Sequence, residues 1–370
     1  MKSATRKYVE FGILCLLAIA ILWWFGRHLN WAEVREAVGR ANPVLLALAV
    51  LVVLAAYLLR AVRWRALLAP ICDAGLRNLF IATTVGFAAV LLLGRTGEVV
   101  RPVVLPMRDH RIRPSASFVT IMVERIYDLL AVIILFAGNL LWFRPPATSV
   151  VDFDRLRWVG AMLLGAVLLG VLALIVFRRN SHRVISFVGG LFERRSFIPA
   201  RLTKAVVSIL DQLSRALRVL VNARELAVTV GWTVLVWFSI ALANWLVLRA
   251  FGLPFGVSET IFVLGWSMVG SLVPTPGGAA GAFHAATAGA IVFLGVAKET
   301  AAAVSIVMHL IDFGPALIFG LFYLLRGDIN LSRLRSLAST EAVEHAVEDE
   351  AVVPDKLFGR DKLETATVRD

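Results

Sequence analysis

A chain of 370 residues that is 59% hydrophobic and 17% charged, with a mean hydropathy of +0.80, lies far from a soluble domain, in which about a quarter of residues are charged. The formal charge of +12 does not point to nucleic acid, because Lys and Arg sit in short segments flanking apolar runs, as in cytoplasmic loops. Two cysteines, Cys15 and Cys72, supply neither a disulfide framework nor a metal cluster.

The composition predicts an all-α polytopic membrane protein. Lys2, Arg6 and Lys7 precede an apolar run from about Val9 to Phe25, read as an uncleaved first span leading outward. Residues 27–42 fit either a short interfacial helix or a polar loop. A second span, about Pro43 to Leu59, ends in Arg60, Arg63 and Arg65, which read as a cytoplasmic marker. If the next run, about 76–93, crossed fully, the later arginine-rich segment 178–224 would fall on the wrong side. A hairpin over 76–107 that turns near Gly94–Gly97 and returns removes the conflict. Thr96 is then placed to cap the returning leg, and Pro102 to shorten or kink it. Spans at about 115–142 and 156–177 follow.

The second half repeats this plan upside down. A span at about 225–248 leads outward, a broken pair at about 257–295 turns at Pro274-Thr275-Pro276-Gly277-Gly278, and a span at about 301–325 returns. The expected fold has about six full spans plus two re-entrant or broken helical hairpins, up to eight to ten membrane helices in all. It forms an inverted repeat with halves at about 8–143 and 155–326. Broken helices in matching positions of two halves mark a transporter's midplane site. Beyond 326 the acidic residues Glu341 to Glu350 read as a cytoplasmic, partly disordered tail over 327–370.

Two stretches stand out chemically: Gly-Arg-Thr-Gly-Glu-Val-Val-Arg at 94–101 and Glu-Arg-Ile-Tyr-Asp at 124–128. Each Arg or Asp at mid-span costs about 2.5–3.5 kcal/mol. Arg95, Arg101, Arg125 and Asp128 facing lipid would together cost roughly 10–14 kcal/mol, against a whole-domain stability of about 5–15. They must pair, face water or meet a charged ligand. Arginine suits a lipid phosphate because its planar fork binds bidentately. Glu98 lies one turn before Arg101, and Glu124 and Asp128 share a helix face, so these acids are placed to hold the arginines. Thr275, Gly277 and Gly278 suit a turn, and the two glycines are expected to open a helix whose free amides face an anion. His309 and Asp312 form a candidate proton-relay pair, with His284 a weaker polar candidate. Trp23, Trp24, Trp31, Trp142 and Trp158 read as interfacial anchors.

These motifs, together with Pro-Thr-Pro-Gly-Gly at 274–278, resemble the lysylphosphatidylglycerol synthase transmembrane region family of flippase-like domains, over about residues 8–326. The resemblance implies a stand-alone member, without the synthase domain, in the bacterial cytoplasmic membrane with both termini cytoplasmic. It also implies movement of lipids between leaflets, best known for aminoacylated phosphatidylglycerol. The sequence departs from the family at Leu93, where a proline is usual, and at Ala282-Phe283-His284, where many members carry a Glu. The leading expectation is a carrier for an anionic or zwitterionic lipid head group. Its rivals are a membrane-embedded transferase acting on lipid and a lipid-binding scaffold for a partner synthase. No cofactor, metal or nucleic-acid partner is expected. There is no Gly-x-x-x-x-Gly-Lys-Ser/Thr loop, and a membrane lipid and a lipid-modifying enzyme are the partners the reading admits.

Overall fold

The computed structural model describes residues 16–146, 153–172, 180 and 223–326, apart from positions 18, 70–71, 156, 171 and 274. The expected tail and most of the arginine-rich segment lie outside these residues, as do parts of the first span and of the span at 156–177. Helical stretches at 19–26 and 157–170 belong to those two spans.

Residues 27–42 contain a helix, α1 (Trp31–Arg40), because the Asn30 side chain accepts from the Ala32 amide and Glu33 and Arg40 complement the dipole at either end. Asn42 then caps α2 (Pro43–Leu68) by accepting from Val44 and Leu45, with Pro43 pre-set in the first turn. At 26 residues α2 is about 39 Å long, more than the roughly 30 Å of a hydrocarbon core. It runs nine residues past the predicted end at Leu59. Arg60, Arg63 and Arg65 therefore lie within the helix, and Arg63 is 0% exposed. The arginines read as a loop marker belong partly to the core.

The next two helices form the expected hairpin. α3 (Leu76–Leu93) passes through a 3-10 segment (Gly94–Val99) into α4 (Val100–Arg108), and the Arg108 Nε donates to Asn78 Oδ1 at 3.2 Å. The chain thus returns to the end it left. The capping position of the returning leg falls at Val99 and not at Thr96. Pro102 does not kink it, because it stands in the first turn, where an amide has no helical partner to lose.

Helix α5 (Pro114–Trp142) crosses to the opposite end. α6 (Ala223–Ala250) runs antiparallel to α2, with the Asn42 amide donating to the Ala250 carbonyl at 2.8 Å. A second hairpin, α7 (Val257–Gly270) and α8 (Ala282–Phe293), is joined by hydroxyls of Ser267 and Thr287 at 2.8 Å. It starts from the far end, where Phe143 stacks on Phe262 and Phe153 on Phe293. α9 (Lys298–Leu325) returns to the first end. The hairpins therefore enter from opposite ends, and Gly278 in the second tip sits against Leu91 near the first.

Among the described residues four helices are long and apolar enough to cross a membrane: Pro43–Leu68, Leu76–Leu93, Arg224–Ala250 and Lys298–Tyr323. α5 is long enough but carries Glu124, Arg125 and Asp128 at its centre. Trp142 and Trp158 are 76% and 72% exposed, as interfacial anchors would be. Asn139 ties the second hairpin to α5, donating to the Ser258 carbonyl at 2.9 Å and accepting from its hydroxyl at 2.8 Å. Asn139→Leu removes both bonds and is expected to cost about 1 kcal/mol in denaturant titration of the detergent-solubilised protein. An unchanged midpoint would show that this tie carries no stability.

Candidate functional site

The sequence places ionisable side chains at mid-depth on two crossing helices: Asp128 and Asp312 each lie 14 residues, or about 21 Å, from the first residue of α5 and α9. Packing brings the first of them into one network. Arg63 holds Asp128 with both terminal nitrogens, at 2.7 and 3.1 Å, and also reaches Glu124 at 3.1 Å. Arg101 binds both oxygens of Glu124, one at 3.0 Å, and lays its guanidinium over the Trp64 ring at 4.4 Å. Trp237 donates to Asp128 at 3.2 Å, and Trp64 is itself fixed by donating to Thr120 at 3.0 Å. Arg101 can reach Glu124 because Gly86 faces it. A Cβ there would stand 2.6 Å from that of Arg101.

This pairing differs from the expected one. Arg101 pairs with Glu124, not Glu98, because Glu98 lies in the 3-10 segment, where the one-turn spacing of an α-helix does not hold, and its side chain is exposed. Arg95 lies in the same segment by its backbone. Arg125, with its side chain 35% exposed, lies 3.8 Å from Asp128.

Beside the network is a cavity of about 390 Å³. Of the predicted residues it is lined by Glu98, Arg101, Arg125, Asp128, Thr275, Gly278 and Asp312. Glu124 stands behind Arg101, fully buried. The sequence reading missed Arg60, whose guanidinium lies 5.0 Å above the Phe87 ring, and Tyr57, whose hydroxyl donates to the Asp312 carbonyl at 2.6 Å. It also missed Arg63, Trp64 and Trp237. The signal was present as Tyr57, Arg60 and Arg63 at three-residue spacing, one helical face of an apolar run.

Two charges of each sign cancel in the network, since Arg63 and Arg101 share Glu124 and Asp128. Arg60 makes no ion pair among the described residues, and the Nε donors of Arg101 and Arg125 are buried without a partner. Such donors ask for an acceptor. The cavity wall includes Leu129 and Leu272, 60% and 62% exposed, so it reaches the apolar outer surface between α5 and the second tip.

That tip is not a helix opening. Gly277 and Gly278 have φ of 79° and 63°, followed by Ala279 at 63°, and α8 starts only after Gly281. These three residues turn with the opposite hand and do not continue into α8, so Gly277 and Gly278 do not form its N-terminus as expected. His309 Nε2 donates to the Gly278 carbonyl at 3.2 Å, and His284 Nδ1 accepts from the Gly281 amide at 3.2 Å. The predicted His309–Asp312 pair is replaced by these bonds and by a His284–His309 contact with ring centroids 4.8 Å apart.

The family profile described as the lysylphosphatidylglycerol synthase TM region matches residues 11–320. A UPF0104 membrane protein of Methanothermobacter thermautotrophicus is 25% identical over 329 residues, covering 85% of this chain and 92% of that one. Glycosyltransferase AglD of Haloferax volcanii is 24% identical over 366 residues, covering 91% of this chain. The match spans 55% of that archaeal relative's own length.

Proposed function

From the premise that the chain belongs to the lysylphosphatidylglycerol synthase transmembrane region family, a family of multi-pass membrane domains, we propose that it is a lipid carrier. It takes an anionic or zwitterionic head group, on a phospholipid or an isoprenoid-linked lipid, into the central cavity and passes it between leaflets. One observation carries this reading. The mid-depth cavity is lined by Arg60, Arg101 and Arg125, of which Arg60 makes no ion pair among the described residues, and it meets the apolar surface at Leu129 and Leu272. A head group can occupy such a cavity while its chains remain in the bilayer. Fixed opposite charges at that depth replace the water that the head group gives up.

The two hairpins are the gates of this carrier, re-entrant from opposite faces, with the halves at about 8–143 and 155–326 acting as an inverted pair. We place the end from which α6 starts in the cytoplasm, because the arginine-rich sequence 178–224 leads into it.

Native mass spectrometry of wild type, Arg60→Ala and Arg125→Ala in mild detergent tests the reading. A lipid class enriched on wild type is expected to fall about 10- to 100-fold in both variants, as the loss of one charge-assisted bond of about 1.5–3 kcal/mol requires. Retention of the same lipids by all three proteins would overturn it. A second reading, group transfer to a lipid, draws on the name of the Haloferax relative. It predicts a chemically modified lipid in the product, whereas the carrier moves its lipid unchanged and a scaffold binds without moving it.

A further inference from the structure

The His284–His309 pair lies between two cavities. Gly278, whose carbonyl accepts from His309, lines the central one. His284 lines a second, of about 400 Å³, bounded by Trp23, Trp31 and Ile306 and placed beside the start of α1. The hydrogen bonds determine where each neutral ring carries its proton. A carbonyl only accepts, so His309 is protonated on Nε2 and leaves Nδ1 bare. An amide only donates, so His284 Nδ1 is the acceptor and its proton sits on Nε2. The two remaining nitrogens are one donor and one acceptor, on rings whose centroids are 4.8 Å apart.

We propose that His284 and His309 pass a proton from the second cavity to the central cavity and that this transfer releases the tip of the second hairpin. A proton from the second cavity adds to His284 Nδ1, which breaks the bond from the Gly281 amide. The Nε2 proton of His284 moves to His309 Nδ1. His309 then loses its own Nε2 proton to water or to a carboxylate in the central cavity, where Asp312 lines the wall. Each imidazole gains a proton on one nitrogen and loses one from the other, so one proton is moved and both rings are left as the opposite tautomer, which must revert before the two bonds re-form. Both bonds that clamp the tip, at Gly278 and Gly281, are broken on the way. Neither ring forms an ion pair among the described residues. Phe25, Phe283 and Phe313 surround the rings, and of the ionisable groups on the helices packed around them, Asp312, Tyr57 and Arg60 face the central cavity.

The inference rests on the carrier reading, and the test separates the two. The variants His284→Asn and His309→Gln keep an acceptor for Gly281 and a donor for Gly278 but cannot relay protons. The full chain is reconstituted in phosphatidylethanolamine liposomes carrying acyl-labelled phosphatidylglycerol or phosphatidylethanolamine as probe. Membrane potential is clamped, and an internal pH dye follows protons. Under a gradient of about one pH unit, wild type is expected to enrich the probe in one leaflet by up to about tenfold, with a matching proton flux. Either single variant, if it unfolds at the wild-type temperature, is expected to leave the probe evenly distributed. Wild-type enrichment in both variants overturns the relay. Equilibration by wild type that ignores the gradient overturns the relay alone, and absence of any probe movement by wild type overturns with it the carrier reading for phospholipids.

Discussion

Replacing Glu124 by glutamine is expected to destabilise the protein by about 3–5 kcal/mol, the largest effect of any single substitution in the network. Glu124 is 0% exposed and is shared by Arg101 and Arg63. The neutral amide leaves two buried guanidiniums and one remaining acid, Asp128, which Arg63 holds. Arg101 then has only the Trp64 face against its charge. Denaturant titration in detergent measures the loss. The double variant Arg101→Met with Glu124→Leu removes one cation with its acid and leaves Arg63 on Asp128, so it is expected to recover most of that loss while lipid retention falls. Wild-type stability in Glu124→Gln would show that the arginines are held by water or by ligand and not by each other.

Gly97→Ala is the second large effect, and it acts through the backbone. The Cβ would fall inside the peptide unit joining Ala89 to Val90 on α3, a neighbour that cannot rotate away as a side chain can. Overpacking that side chains absorb costs about 1–3 kcal/mol. Here the 3-10 tip must lift off α3, so a loss at the top of that range is expected. Gly94 and Glu98 in the same segment line the central cavity, so lipid retention is expected to fall together with stability. A variant that kept both would overturn the close approach of tip and helix. Native mass spectrometry and unfolding of one preparation read both quantities.

Much of the architecture was legible because it depends on short-range properties of the chain. Apolar run lengths, the glycines of Gly94–Gly97 and the break at 274–278 located both turns and the described helices within a few residues, except α2, which runs nine residues past its expected end. Asn30 and Asn42, which cap α1 and α2, were a further signal in the sequence that the reading did not use. The charged motifs at 94–101 and 124–128 stood out in the sequence because an ionisable group in an apolar run demands a partner.

What the sequence could not reveal was the identity of those partners. Arg60 and Arg63 follow an apolar run and look like the start of a loop, and it is the acids of α5, packed alongside, that pair with Arg63 in the interior. Glu98 is nearer to Arg101 in sequence than Glu124 is, yet the 3-10 geometry carries it away. His309 turns from Asp312 to a carbonyl 31 residues earlier because three consecutive left-handed residues aim Gly278 at it.

By itself, then, the sequence determined that this is a membrane protein, where its helices break, and that its midplane holds charge, because hydropathy and backbone freedom are properties of a few adjacent residues. The tertiary structure alone decided which charges cancel, which face a cavity and which two imidazoles meet. Those outcomes depend on distances between residues far apart in the chain, and only packing sets them.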